Sequence, residues 1–222
     1  MSLPEKISRG VFGALAGMCL LFASQCKHGN SNEIFSDDFD RTELGADWVL
    51  NLPGGASFEI ASDRAYPFAA GSNLTALPAA KYKEKVTGNF KVSAKFSIRD
   101  GTFSGRGYLI GRAASDEATE RGYVCGYYYN SFSSKYVFML GRYDTTLLVD
   151  LATTAMHNLS QGVTDTVSMS FDGQKITCSL SGNSSLTLSA TDSTYGDGYI
   201  GLYGGGADTN YLYSSSFRIL FR

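Results

Sequence analysis

The chain has 222 residues, a formal net charge of -2 and 18% charged side chains. That length permits one or two domains with a sizeable core, and the near-even charge, with no Lys/Arg run, excludes the basic surface that nucleic-acid binding requires. Aromatic residues make up 13% of the chain and glycine numbers 25, a mixture that suits pleated strands and turns better than helices.

The N-terminus reads as an address. Lys6 and Arg9 precede an apolar run over 11–23 (VFGALAGMCLLFA), followed by Ser24, Gln25 and Cys26. A basic start, an apolar stretch of about 7–15 residues and small residues before a cleavage point define a secretory signal, and the run is shorter than the roughly 20 residues a spanning helix needs. Residues 1–25 are therefore expected to be a signal segment, which the resemblance of Ala23-Ser24-Gln25-Cys26 to a bacterial lipobox makes one of the lipoprotein type, with 26–32 a small polar tether and 33–222 one folded domain. Removing 1–25 takes away Lys6, Arg9 and Glu5 and leaves the remainder mildly acidic. Of the four cysteines, Cys19 leaves with the apolar run and Cys26 is the candidate for lipidation. Cys125 and Cys178 stand 53 positions apart; an exported location permits a disulfide between them, and two buried free thiols are the alternative. No Cys-x-x-Cys is present and the two histidines, His28 and His157, lie far from both cysteines, so no zinc site is expected.

From Glu33 onward short alternating runs are broken by turn residues, the pattern of an all-β sandwich or barrel. A run at 57–61 comes first. In Phe90–Ile98, Phe90, Val92, Ala94, Phe96 and Ile98 fall on one face, and Lys91, Ser93, Lys95 and Ser97 on the other. Further runs lie at 107–113, 122–129, 136–142 and 145–151, while 115–120 hints at one helical turn. Residues 166–182 read as a hairpin: Val167, Met169 and Phe171, then the positive-φ pair Asp172-Gly173, then Ile176, Cys178 and Leu180. Runs at 184–189, 198–203 and 211–221 complete the chain.

Several of these segments, taken in order, resemble the concanavalin A-like lectin/glucanase superfamily, in particular its laminin G-like bacterial modules. They are Ile34-Phe35-Ser36-Asp37-Asp38-Phe39-Asp40 with Leu44 to Trp48, Gly107 to Arg112 with Tyr123, Val167 to Gly173, Gly198 to Leu202, and Phe217 to Phe221. The end of the apolar run similarly resembles the loose lipobox of spirochaetal lipoproteins. The resemblance implies an antiparallel two-sheet jelly roll with adjacent N- and C-terminal strands and one concave sheet, across which glycans often lie. It also raises a structural calcium ion, for which Asp37, Asp38 and Asp40 supply suitable oxygens, although the closing strand offers Ser216 and Arg218 where family members frequently have an acid.

Catalytic machinery is not evident. None of the seven glutamates forms the Glu-x-Asp-x-x-Glu strand of the family's glucanases, and Glu117 and Glu120 would fall on opposite faces of a strand. No Gly-x-Ser-x-Gly elbow accompanies His157. The unusual stretch is Tyr123 to Tyr136, where Tyr123, Tyr127 and Tyr129 share one strand face and Tyr128 takes the other. Tyrosine rings can stack on sugars while hydroxyl and guanidinium groups satisfy sugar oxygens. Arg112, Tyr123, Tyr127, Tyr129, Arg142 and Tyr143 are therefore the candidate glycan-binding residues, with core packing as the competing reading. The expected protein is an exported lipoprotein, held at a bacterial membrane through its lipid alone, that binds a glycan or glycosylated partner without catalysis. The alternatives are an adhesion lipoprotein that binds proteins, recognised by an exposed apolar patch, and a divergent glycoside hydrolase or polysaccharide lyase.

Overall fold

The computed structural model describes residues 32–53, 55–61, 64–69, 79–98, 105–114, 121–130, 132–133, 135–144, 147–154, 164–182, 186–206 and 212–221. The signal segment, Cys26, the stretch 115–120 and His157 lie outside them.

In chain order the strands are β1 (Glu33–Asp37), β2 (Trp48–Asn51), β3 (Ala56–Ile60), β4 (Ala65–Ala69), β5 (Ala79–Tyr82), β6 (Phe90–Ile98), β7 (Gly105–Ala113), β8 (Arg121–Asn130), β9 (Lys135–Asp144), β10 (Leu147–Thr153), β11 (Thr164–Asp172), β12 (Lys175–Ser181), β13 (Leu186–Thr191), β14 (Tyr199–Gly206) and β15 (Leu212–Phe221). They form two antiparallel sheets. The eight-stranded sheet runs β13-β12-β11-β6-β15-β4-β3 with β1 beside β15, and the seven-stranded sheet runs β10-β9-β8-β7-β14-β5-β2. The protein is an all-β jelly-roll sandwich in which the opening and closing strands pair, Asp37 opposite Phe217.

Period-two patterning makes the interior. On β6, Phe90, Val92 and Ala94 are buried, and in register beside them on β11 stand Phe171, Met169 and Val167. The Asp172-Gly173 turn closes the expected hairpin, pairing Phe171 with Ile176 and Met169 with Cys178; Gly173 takes φ 58°, the left-handed geometry such a turn demands. From the facing sheet Leu109, Tyr123, Cys125, Phe138, Leu140, Ile200 and Leu202 complete the same core. Cys125 on β8 and Cys178 on β12 are joined by a disulfide across this interior, with Cα atoms 5.6 Å apart.

The opening segment is pinned by a buried carboxylate. Asp37, 6% exposed, accepts from the Phe39 amide at 2.8 Å and from Trp48 Nε1 at 2.6 Å, and is paired with the guanidinium of Arg41. The Asp37–Phe39 bond is the local side-chain turn that aspartate favours, and it holds Phe39 at φ 56° with its side chain fully buried.

Candidate functional site

The tyrosines of β8 divide between two faces, and the expected groove does not form where Tyr123 and Tyr127 point. Both side chains enter the sandwich core, at 0% and 1% exposure. Tyr127 packs against Phe138 with ring centroids 5.3 Å apart; burial, and next the charge of Asp165, push its hydroxyl pKa far up. Tyr129, at the end of the strand, is half-buried edge-on against Tyr136, at 5.4 Å. Packing is what these three rings do.

Arg112, Tyr123 and Arg142 do come together, though in a structural lock. The Tyr123 hydroxyl donates to Asp192 Oδ1 at 2.6 Å and accepts from the Tyr195 amide at 3.2 Å. Arg142 pairs with Asp192 and Asp144 and donates to Thr194 Oγ1 at 2.8 Å. The Tyr195 hydroxyl bonds Asp144 and the Tyr143 carbonyl, and its ring meets Tyr123 edge-on. Burial pushes the Tyr123 hydroxyl up to about 12, helped by Asp192. Burial would raise the Asp192 carboxyl too, but bonds from Tyr123 and Thr194 and the charge of Arg142 hold it down at about 2. Arg112, 7% exposed and at φ 50°, lays its guanidinium over Phe171, 4.5 Å from the ring centre, and donates weakly to the Tyr195 carbonyl. This network stitches the connection after β13 onto the ends of β7, β8 and β9. Its donors and acceptors serve one another except at Arg112 Nε, which is buried without a hydrogen-bond partner among the described residues.

A second aromatic cluster occupies the outer face of the seven-stranded sheet. Tyr108, Ile110, Val124, Met139, Tyr143 and Tyr203 are buried there, with Tyr128, Leu148 and Tyr199 half-buried at the margins. Tyr143 is the one candidate from the sequence that reaches it. Register shows that this face is concave. Tyr203, Tyr108, Gly126 and Met139 lie in one row across β14, β7, β8 and β9, and Tyr143 sits four residues beyond Met139. On a flat sheet their Cα atoms would stand about 19 Å apart. The rings of Tyr143 and Tyr203 are nevertheless 5.3 Å apart, centre to centre. Likewise Arg106 shares a row with Tyr128 and Val137, about 22 Å from Tyr143 on a flat sheet, yet Arg106 Nη1 donates to the Tyr143 hydroxyl at 2.9 Å. Such convergence requires the sheet to curl toward these side chains.

Curvature also explains the glycine at Gly201, where a Cβ would collide with the Ala80 carbonyl oxygen of the next strand. Tyr203 stacks on Tyr108 at 6.2 Å. Burial, and then Tyr143, push the Tyr108 hydroxyl pKa well up. Burial works against the Arg106 charge, and the hydroxyls of Tyr108 and Tyr143 more than offset it. Lys81, 1% exposed, shares the face and with Val49, Lys83 and Tyr199 lines a small cavity of about 110 Å³. Asp150 is the one carboxylate that register places on this face among the described strand residues. Arg106, Tyr108, Tyr128 and Tyr203 were missed in the sequence. The available signal was the alternation of Arg106, Tyr108 and Ile110 on β7 with Tyr199, Gly201 and Tyr203 on β14.

The calcium expectation changes at Asp37, whose oxygens are taken by Arg41, Trp48 and Phe39. Burial opposes its charge, and those partners outweigh burial and lower its pKa. Asp38 is half-buried and Asp40 exposed. Among the described residues no group of three or more His, Cys, Asp or Glu side chains is placed to hold a metal ion.

This architecture is that of lectin and carbohydrate-binding jelly rolls. No family model matches the chain, and no curated protein matches it. Solved structures do. The carbohydrate recognition domain of Emp47p aligns with a TM-score of 0.61 at 12% identity, over 87% of this chain and 98% of that one. The VIP36 exoplasmic/lumenal domain, in a form bound to Ca²⁺ and Man3GlcNAc, aligns at 0.58 and 9%, over 79% and 84%. The Bacteroides ovatus xyloglucan PUL protein GH43B aligns at 0.61 and 18%, over 84% of this chain and 39% of that one, so this chain spans about two fifths of that protein.

Proposed function

We propose that this chain is an exported lipoprotein, lipidated at Cys26 and held at a bacterial membrane, that binds a glycan or glycosylated partner through the concave face of its seven-stranded sheet without catalysis. The contrast between the two outer faces carries this reading. On β6, β11 and β12 of the eight-stranded sheet the outward positions include Lys91, Ser93, Lys95, Ser168, Ser170, Thr177 and Ser179. On the seven-stranded sheet they include Arg106, Tyr108, Ile110, Val124, Met139, Tyr143 and Tyr203. Tyr108, Tyr143 and Tyr203 form a buried floor at 0–2% exposure, so the apolar rings and polar tips that suit the C–H and hydroxyl surfaces of sugars are those at its margin. Half-buried Arg106, Tyr128 and Tyr199 are the groups a ligand would touch first. A retaining hydrolase needs two carboxyls about 5–5.5 Å apart, and among the described strand residues register places one carboxylate, Asp150, on this face. The calcium site raised by the sequence has no part in this reading.

A glycan array with the mature protein is the test. Binding that disappears in Arg106→Ala with Tyr128→Ala, and persists in Tyr129→Ala, supports the proposal; an array without a hit removes it. A second reading has its own observation. Edge strand β2 and the residues after it expose Val49, Leu50 and Leu52 at 40–42%, Val49 on the concave side and Leu50 on the opposite side of the strand, an apolar edge of the kind a protein-binding lipoprotein would offer. Capture of a protein partner that is lost in Leu50→Asp would favour it.

A further inference from the structure

The outer face of the eight-stranded sheet carries a cluster of three cations, Lys91, Lys95 and Arg218, for which the described residues supply no ion pair. Register puts Lys91, Ser93 and Lys95 outward on β6 and Arg218 directly beside Ser93 on β15. The guanidinium therefore stands diagonally between the two lysines, at the roughly 7–8 Å spacing of diagonal neighbours. Among the described residues none of the three forms an ion pair, and their side chains are exposed or half-exposed. Ser168 and Ser170 on β11 flank them with hydroxyls. The carboxylates outward on this sheet, Glu33, Glu59 and Asp172, lie toward its margins, and Asp172 is engaged by Asn89. Like charges held this close repel one another unless an anion sits over them.

The position of the tether says which anion. Asn32, whose carbonyl accepts from the Phe221 amide, is followed by β1, and Glu33 lies across Leu220 in the row of Lys91. Two strand spacings, about 10 Å, separate that exit from the lysine. Six residues connect Cys26 to Asn32, a chain that spans at most about 20 Å. A lipid on Cys26 thus leaves this face free to reach the bilayer. The acidic side chains Asp47, Glu84, Asp144 and Asp150 belong to the seven-stranded sheet and its turns.

The geometry points to the Lys91–Lys95–Arg218 face as a docking surface for the phosphate-bearing anionic headgroups of the membrane in which the anchor sits. This rests on the proposed lipidation at Cys26. Docking there turns the concave tyrosine face of the opposite sheet away from the lipid. The attraction is local and screened by salt.

Lysine acylation read by mass spectrometry tests it. The mature protein is coupled through Cys26 to a maleimide lipid, so that its presence on vesicles does not depend on natural lipidation. It is then displayed on phosphatidylglycerol or on pure phosphatidylcholine vesicles. Lys91 and Lys95 should be protected several-fold on the anionic vesicles, with Lys85 unchanged and the protection lost at high salt. Equal labelling on both vesicles overturns the proposal. As a second measurement, the untethered Cys26→Ser protein should bind phosphatidylglycerol vesicles on the order of a hundredfold more strongly than its Lys91→Gln, Lys95→Gln, Arg218→Gln variant, at roughly fivefold per basic residue; equal binding overturns it as well. Failure of natural lipidation shows separately, as an unmodified N-terminal peptide in protein from the membrane fraction. Loss of glycan binding would leave both results unchanged.

Discussion

Asp192 gives the lock at the sandwich rim a measurable signature. Its carboxyl stands at about 2 against an ordinary 3.8, which at about 1.36 kcal/mol per unit corresponds to about 2.5 kcal/mol. The side chain is 12% exposed and sits at a wet rim, so screening reduces the contribution to about 1–2 kcal/mol. A depressed carboxylate pKa stabilises the fold above the unfolded value near 4, and that stability is lost as pH falls from there through about 2. Asp192→Asn keeps an acceptor for Tyr123 and Thr194 but removes the charge facing Arg142. At pH 7 it should lower Tm by about 5 °C for a domain of this size, and near pH 2 most of the deficit should be gone, because the parent carboxyl is then about half protonated in the folded state and almost wholly protonated in the unfolded one. Asp37 is depressed in the same direction, so both proteins lose stability in acid. The difference between them is the informative quantity. Thermal melts followed by far-UV circular dichroism from pH 7 to 2 provide it, and a Tm gap of equal size at both ends would refute the argument.

Three further outcomes follow from the packing. Reducing the Cys125–Cys178 disulfide opens a loop with 53 positions of separation, worth about 4 kcal/mol in chain entropy; Tm should fall by about 10 °C, and an unchanged melt under reductant would mean that the cross-link contributes nothing. Tyr127→Ala removes a ring that is 1% exposed, at a cost of about 3–5 kcal/mol, and urea unfolding should show a shift in midpoint without a change in slope. Gly201→Ala places a methyl group against the Ala80 carbonyl, so the two strands must separate; it should destabilise, whereas an ordinary glycine-to-alanine exchange in a strand stabilises by about 0.5–1 kcal/mol, and a neutral or stabilising result would show that β5 and β14 are less closely apposed than described.

What the sequence made legible depended on whether one face of a strand meets water. Strand β12 buries Ile176, Cys178 and Leu180 and leaves Lys175 and Ser181 exposed, so alternation alone assigned its inward side. The same holds for β6, whose bounds 90–98 were read without error. Strand β8 is buried along Gly122 to Tyr127 on both sides, because one face meets the core and the other a concave aromatic bed. Polar contrast vanishes there, and the grouping of Tyr123 with Tyr127 was correct while their destination was left open. Strands β2, β4 and β5 passed unnoticed because four or five residues carry too little period-two signal; β5 reads Ala79-Ala80-Lys81-Tyr82 and is buried throughout. The role of Asp192 and Tyr195 had no local signature, since their partners Tyr123, Arg142 and Asp144 are about 50–70 positions away.

The proposal that the concave face of the seven-stranded sheet receives the ligand is tested most directly by amide and side-chain NMR of the mature protein titrated with a glycan selected on the array. Shift changes should concentrate at Arg106, Tyr128, Tyr199 and their neighbours on β7, β8 and β14. Changes confined to β2 around Val49 and Leu50, or to the lysine-bearing outer face of the eight-stranded sheet, would contradict it.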